Sequence, residues 1–336
     1  MELNYSFIIP VYNRPEELRE LLQSMQELDF DKSFEVVVVE DGSTESSMEV
    51  IAHFSQNLQI SYFQTPNTGP GDSRNYGMQR AKGNYFLILD SDVILPPHYL
   101  SEVDDALAQE FIHCFGGPDA AHPNFSQVQK AINYSMTSSF TTGGIRGKKQ
   151  MLGKFQPRSF NMGISKKAFE VSGGFGKIHP GEDPDLALRL EELGFDSRLF
   201  PEAFVYHKRR IDWDKFYEQV YKFGLARPIL TSWHPHTEKI TYWFPAVFSL
   251  GMLLAVFLLI FKLNFLVYAY IAYFVFIFLD ASIRNGNARI GVFSVWASLI
   301  QFLGYGLGFC RSTYYIRILK ENPERRFPKL FFKNDQ

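Results

Sequence analysis

Two acidic pairs set the chemistry open to this 336-residue sequence. Asp90-Ser91-Asp92 ends an apolar run that reads as a buried strand, within Asn84 to Pro96. Glu182-Asp183 follows Pro180-Gly181, just before a helix with apolar positions at Leu186, Leu190 and Leu193. Two carboxylates one residue apart repel each other. A hard cation such as Mg2+ or Mn2+ relieves this, because it takes oxygen ligands and shares them with substrate phosphates. A solvated turn at the end of a strand would be spelled the same way. Asp183 can serve as a general base if it faces the same crevice as Asp92, within reach of a hydroxyl. Asp185 can equally do no more than favour the helix N-terminus. His207, which closes "SRLFPEAFVYH", either adds a neutral imidazole to the cation or packs as an ordinary histidine.

These groups need elements to position them. "YSFIIPVY" is a short strand closed by a loop, and "RPEELRELLQSMQEL" carries Leu18, Leu21, Leu22, Met25 and Leu28 at helical spacing. "FEVVVVEDGST" is continuous and β-branched, as in a sheet covered on both faces. "DSRNYGMQRAKG" reads as a helix with a glycine stop, and "NYFLILDSD" as the next strand. The alternation predicts an α/β, doubly wound, mostly parallel sheet with helices on both faces. Ligands of such sheets lie outside the carboxyl ends of the strands. Tyr12-Asn13, Glu40-Asp41 and Asp90-Ser91-Asp92 should therefore converge on one crevice.

Net charge is −2, which argues against nucleic acid as a partner. Cys114 and Cys310 form neither a disulfide framework nor a zinc cluster, and the first residues lack the pattern of a secretory signal. The first half is expected in a reducing cytosol. After residue 240 the composition changes. Residues 241–261 and 263–283 make an apolar hairpin around Lys262-Leu263-Asn264, and residues 290–310 make a third hydrophobic segment. Lys and Arg crowd the approach, which favours a cytoplasmic start. Three full spans would put the basic tail, with Arg317, Lys320, Arg325, Arg326, Lys329 and Lys333, on the far side, against the positive-inside rule. Either the third, glycine-rich segment does not span, or the rule fails here.

The order and spacing of "IIPVYNRPEEL", "VVVVEDGSTESS", "NTGPGDSRNYGMQRAKGNYFLILDSDVILPPHYL" and "FNMGISKKAFEVSGGFGKIHPGEDPDLALRL" resemble the family 2 glycosyltransferases, of GT-A fold. The resemblance covers roughly Tyr5 to Arg210. It implies a nucleotide-sugar donor, with a UDP-sugar expected. Pro10, Val11, Tyr12 and Asn13 would line the base and ribose pocket, Asp41 would reach base or ribose, and Arg74 would sit near the diphosphate or sugar. Asp90 and Asp92 match the family's Asp-x-Asp motif, Asp92 as the direct metal ligand and Asp90 also as a contact to ribose or sugar. Asp183 matches the catalytic base, with Glu182 beside it. Phe160, Asn161, Met162 and Gly163 would form the floor under donor sugar and acceptor. One base without a second nucleophilic carboxylate predicts inversion at the anomeric carbon.

No Gln-x-x-Arg-Trp motif follows Asp183, so the processive, polymer-extruding members are a poor match. "FYEQVYKFGLARPIL", with Tyr221, Gly224 and Arg227, resembles instead a stretch of membrane-anchored members that extend surface polysaccharides. The expected organisation is a catalytic domain over 1–235, amphipathic from 211 to 235, a transmembrane region over 241–312 and a basic tail over 313–336. The expected acceptor is a lipid-linked saccharide at the cytoplasmic face of the plasma membrane. Three rivals are a polyprenyl-phosphate sugar synthase, a catalytically silent nucleotide-sugar-binding scaffold, and a transporter, which would need more spans and ionisable groups deeper in them than Asp280. "GGIRGKKQMLGKFQPR", with Arg146, Lys148, Lys149 and Lys154, would close over the diphosphate, meet a lipid phosphate, or be a charged surface loop. The sequence carries no signal for an oligomeric state.

Overall fold

A computed structural model describes residues 2–120, 122, 125–142, 155–208 and 212–332. The basic loop at 143–154 and Arg209-Arg210 lie outside the described residues. The chain divides into two compact units. One comprises residues 1–122, 151–208 and 331–336, the other residues 123–150 and 209–330.

The first unit is built on a seven-stranded sheet. In chain order its elements begin β1 (Tyr5–Val11), α1 (Pro15–Gln26), β2 (Glu35–Asp41), α2 (Met48–Phe54), β3 (Gln59–Thr65), α3 (Pro70–Arg80) and β4 (Tyr85–Leu89). After β5 (Val93–Ile94) come α4 (Tyr99–Gln109), β6 (Cys114–Gly116) and β7 (Asp119–Ala120). The second unit's α5 (Gln127–Thr137) and α6 (Ser139–Thr142) intervene. The first unit resumes with β8 (Asn161–Ser165), α7 (Lys166–Ser172), α8 (Glu182–Glu192), β9 (Ser197–Leu199) and β10 (Val205–His207). Strand order in the large sheet is β3-β2-β1-β4-β8-β6-β9. Only β8 runs against its neighbours.

Local sequence explains these choices. Val36 to Val39 are buried on both faces of β2, so an unbroken β-branched run suits the strand better than alternation would. Pro15 stands at the start of α1, where its missing N–H costs nothing, with Glu16 and Glu17 in the first turn. Leu18, Leu21, Leu22 and Met25 of α1 join α2 and α4 over one face of the sheet. Met78 of α3, Phe169 of α7, and Leu186 and Leu190 of α8 cover the other. A second sheet of order β5-β10-β7 is small, but it decides the site: it pairs His207 with Val93, the residue after Asp92.

The second unit is helical: α5, α6, α9 (Trp213–Trp233), α10 (Phe244–Leu259), α11 (Phe265–Asn285), α12 (Ala288–Ser312) and α13 (Pro323–Arg326). Among the described residues, three helical segments are long and apolar enough to cross a membrane: Ile240–Leu259, Phe265–Asn285 and Ala288–Ile318. The compact units cut the chain differently from the boundaries expected at 1–235, 241–312 and 313–336. Residues 123–150 and 209–235 go with the helices because α5 and α9 pack on α12. Backbone approaches permit this, since a Cβ at Gly224 of α9 would stand 2.2 Å from the Tyr305 carbonyl oxygen of α12. One at Gly308 would stand 2.3 Å from that of Tyr221. Gly224, within the stretch read as amphipathic, packs against α12.

Candidate active site

Asp90 and Asp92 follow the carboxyl end of β4, where the chain turns into β5. Register does the rest. His207 pairs with Val93 across β10 and β5, and the Lys208 N–H donates to the Asp92 carbonyl at 2.9 Å. One ligand atom each from Asp90, Asp92 and His207 lies within 4.8 Å of the others. The Phe160 ring stacks on the His207 imidazole at 5.0 Å and limits its rotation.

Each carboxylate is held by an arginine through one oxygen. Arg14 Nη1 donates to Asp92 Oδ2 at 2.5 Å, and Arg74 Nη2 to Asp90 Oδ1 at 2.7 Å. The other oxygen of Asp92, Oδ1, is buried, lies 3.3 Å from His207 Nε2, and accepts no hydrogen bond from the described residues. Burial alone would push the Asp92 carboxyl up, but His207 and Arg14 together hold it well below the usual carboxylate range. Two carboxylates, one imidazole and a buried unshared oxygen fit a divalent cation of the Mg2+ or Mn2+ type.

A second cluster braces the start of α8. Glu182 Oε1 accepts from Arg74 Nη1 at 3.0 Å and lies 3.0 Å from His179 Nδ1, while Oε2 accepts the Gly181 N–H at 3.0 Å. Burial pushes the Glu182 carboxyl up, and His179 and Arg74 more than reverse it. Arg74 therefore bridges Asp90 to Glu182 and ties α8 to the strand end. It is itself buried, with its guanidinium 5.2 Å from the Phe175 ring centroid. Asp183, next along α8, pairs with Arg158 Nη1 at 3.7 Å. Arg158 is two residues before Phe160, so the turn that orients Asp183 also leads to the ring on His207.

The other sequence-predicted residues are placed less openly. Tyr12 is half exposed, whereas Val11 belongs to the core and Pro10 is part of β1. Asn13, at φ +52°, uses Oδ1 to accept from the N–H groups of Thr44 and Glu45 at 2.7 and 3.0 Å. Asp41 accepts from the N–H groups of Thr68 and Gly69 at 2.8 and 2.9 Å. Both side chains thus shape the loops around the crevice. Asn161 is fully enclosed: Tyr99 donates its hydroxyl to Oδ1 at 2.7 Å, and Nδ2 donates to the Ala203 carbonyl at 2.8 Å. Met162 packs in the core and Gly163 lies against the Phe115 ring. Arg14, Arg158 and His179 were missed by sequence reasoning. Only the charge next to Pro15 and the histidine three residues before Glu182 hinted at two of them.

Comparison with known proteins agrees with the geometry. The model of the Glycosyl transferase family 2 matches residues 6–172. Poly(ribitol-phosphate) beta-N-acetylglucosaminyltransferase TarS of Staphylococcus aureus is 39% identical over 93 residues, 27% of this chain and 16% of TarS. Probable glycosyltransferase YdaM of Bacillus subtilis is 24% identical over 225 residues, 64% of this chain and 53% of YdaM. The aligned part is under two thirds of either relative's length. Among solved structures, mannosyltransferase PcManGT from Pyrobaculum calidifontis, in complex with GDP-Man and Mn2+, superposes with a TM-score of 0.59. Identity is 15%, over 90% of this chain and 88% of that one, which is a likeness of fold. Sheet order, acidic strand end and superposition define a GT-A-type domain. More particularly, it is a family 2 glycosyltransferase domain.

Proposed function

We propose that the chain is a membrane-anchored, inverting, metal-dependent glycosyltransferase. It moves a sugar from a nucleotide sugar, with a UDP-sugar as the expected donor, to a hydroxyl of a lipid-linked saccharide. The observation that carries this reading is the convergence of Asp90, Asp92 and His207, one ligand atom of each within 4.8 Å of the others. A divalent cation held there would neutralise charge on the departing nucleoside diphosphate. Asp90 and Asp92 keep their orientation through Arg74 and Arg14. Asp183 accepts the proton of the acceptor hydroxyl, and Arg158, 3.7 Å away, keeps that carboxylate aimed. The apolar helices after residue 240 support an anchor in the plasma membrane, with the catalytic unit in the cytoplasm. There the enzyme meets acceptors that diffuse in two dimensions.

The test is binding of a panel of nucleoside diphosphates to the detergent-solubilised chain, with Mn2+ and again with chelator. Metal-dependent binding of one nucleotide sets the donor class, and binding of none sinks the reading. Asp183→Asn should bind that nucleotide as wild type does and lose transfer. Full transfer by this variant would show an acceptor with no proton to remove, such as a phosphate.

A further inference from the structure

We propose that Ala288–Ile318 lies in the plane of the membrane surface instead of crossing it, so that only the α10–α11 hairpin enters the bilayer. The inference rests on the anchored reading above and replaces three spans with two. Four observations carry it.

First, α12 meets the hairpin through Tyr273 to Ser282 of α11 and the first turns of α10. A Cβ at Gly291 would meet the Phe278 carbonyl and Ser282 near the end of α11, and one at Gly306 would meet the Pro245 carbonyl and Ser249 near the start of α10. The Phe302 ring lies 5.6 Å from Phe244 and 4.4 Å from Phe248. A third antiparallel span would pack along the whole hairpin, yet Leu250, Leu253, Val256, Phe257 and Tyr268 remain exposed beyond these contacts.

Second, α12 is sheathed along its length by helices too polar for hydrocarbon. The Ser135 hydroxyl of α5 donates to Gln301 Oε1 at 2.6 Å, and Tyr134 of α5 donates to Asp280 Oδ2 of α11 at 2.6 Å. α9 passes over Gly304 and Gly308 while carrying the Lys222–Glu218 ion pair on its surface. Charged side chains at mid-membrane are costly and rare even when paired, so these helices belong at the interface. What α12 leaves open is a stripe, with Val292, Trp296 and Leu307 each at least half exposed, at the spacing of one helix face. The occupant that fits is lipid, because the stripe is apolar and its helix follows the apolar hairpin directly in the chain.

Third, the segment ends where the hairpin begins. Arg317 pairs with Glu238, two residues before Ile240, with Nη2 to Oε2 at 2.8 Å. Fourth, the chain returns to the catalytic unit. Phe331 forms an antiparallel bridge with Ile178, the Phe332 N–H donates to the Lys177 carbonyl at 3.3 Å, and the Phe332 ring occupies the space beside Gly69. A chain that leaves this unit after Lys208 and rejoins it at Phe331 crosses the bilayer an even number of times. The positive-inside conflict then vanishes, because the basic tail stays on the catalytic side.

The experiment uses the full chain with Cys114→Ser and Cys310→Ser, in sealed membrane vesicles of both orientations. An impermeant maleimide is applied to Lys166→Cys, Lys262→Cys and Lys320→Cys in turn. Labelling of positions 166 and 320 from one side and 262 from the other supports the proposal. Labelling of 320 with 262 overturns it. Labelling of 262 with 166 overturns the spanning hairpin instead, and α12 is then judged by depth. Spin labels at Val292→Cys and Leu307→Cys supply that readout. Fifteen residues of a spanning helix would separate them by about 22 Å along the membrane normal, whereas equal depth is expected in the plane. A full-depth difference overturns the proposal whatever the maleimide shows.

Discussion

Two clusters in the first unit have the same ingredients and opposite designs. Each combines a carboxylate, an arginine and a histidine: Asp92 with Arg14 and His207, and Glu182 with Arg74 and His179. At Glu182 both oxygens are occupied, and the arginine and imidazole share one of them. At Asp92 the arginine takes one oxygen, and the other lies 3.3 Å from His207 Nε2 without a well-formed hydrogen bond. The first is a closed brace that fixes the start of α8 to the end of β4. The second is an open set that keeps a lone pair for a ligand. A buried acceptor left unshared costs about 1–3 kcal/mol. That cost is tolerated where a substrate or cation supplies the missing partner.

Substitutions should separate the two. Asp92→Asn is expected to lower transfer by about a thousandfold or more, because the charge that stabilises the leaving diphosphate through the cation is lost. The cost in thermal stability should be smaller than for loss of Arg74, because Arg14 is part-exposed and can turn to solvent. Turnover and the thermal midpoint of the same preparation check both halves. Unchanged turnover would make the Asp92 set a second brace. Arg74→Met should act in the opposite way: it strands the buried Glu182, leaves the part-exposed Asp90 unpaired and costs about 3–5 kcal/mol of stability. The fall in the denaturation midpoint measures it. Glu182→Gln keeps the shape and removes the charge, and should cost less, about 1–3 kcal/mol. A larger loss than that of Arg74→Met would make Glu182 the centre of the brace.

The contrast also marks what the sequence could tell. β2 was legible because four consecutive valines leave few alternatives to a strand buried on both faces. α1 was legible because Pro15, the early acids and the leucine spacing agree. The acids at 90, 92, 182 and 183 stood out because carboxylates at element ends are written in the local spelling. Their partners were not, since Arg14 and Asp92 are 78 residues apart, and Arg74 and Glu182 are separated by 108. His207 reaches Asp92 only through the register of a small sheet whose strands span two or three residues. Asn161 came from the resemblance, as part of the floor under donor sugar and acceptor, and no local spelling shows that Tyr99 and Ala203 use its amide. Hydropathy likewise saw 290–310 as apolar, but could not show which face Gly304 and Gly308 give to α9.

The smallest expected effect is the pH dependence of the closed brace, whose alkaline side comes from His179. Glu182 is held below its ordinary value of 4.5, so its contribution is complete above that value and fades as pH falls toward the depressed folded value. His179 is a balance: burial lowers it, and the Glu182 charge more than compensates, leaving it above its ordinary 6.5. Its contribution is complete below 6.5 and is lost as pH rises through the raised folded value. The brace is therefore fully effective between about 4.5 and 6.5. His179→Gln should remove the alkaline arm from the difference between variant and wild-type thermal midpoints, and Glu182→Gln should remove both arms. Parallel curves for wild type and His179→Gln from pH 6 to 9 would show that the imidazole adds no charge to Glu182. The brace would then reduce to Arg74 alone, and the likeness between the two clusters would be one of composition only.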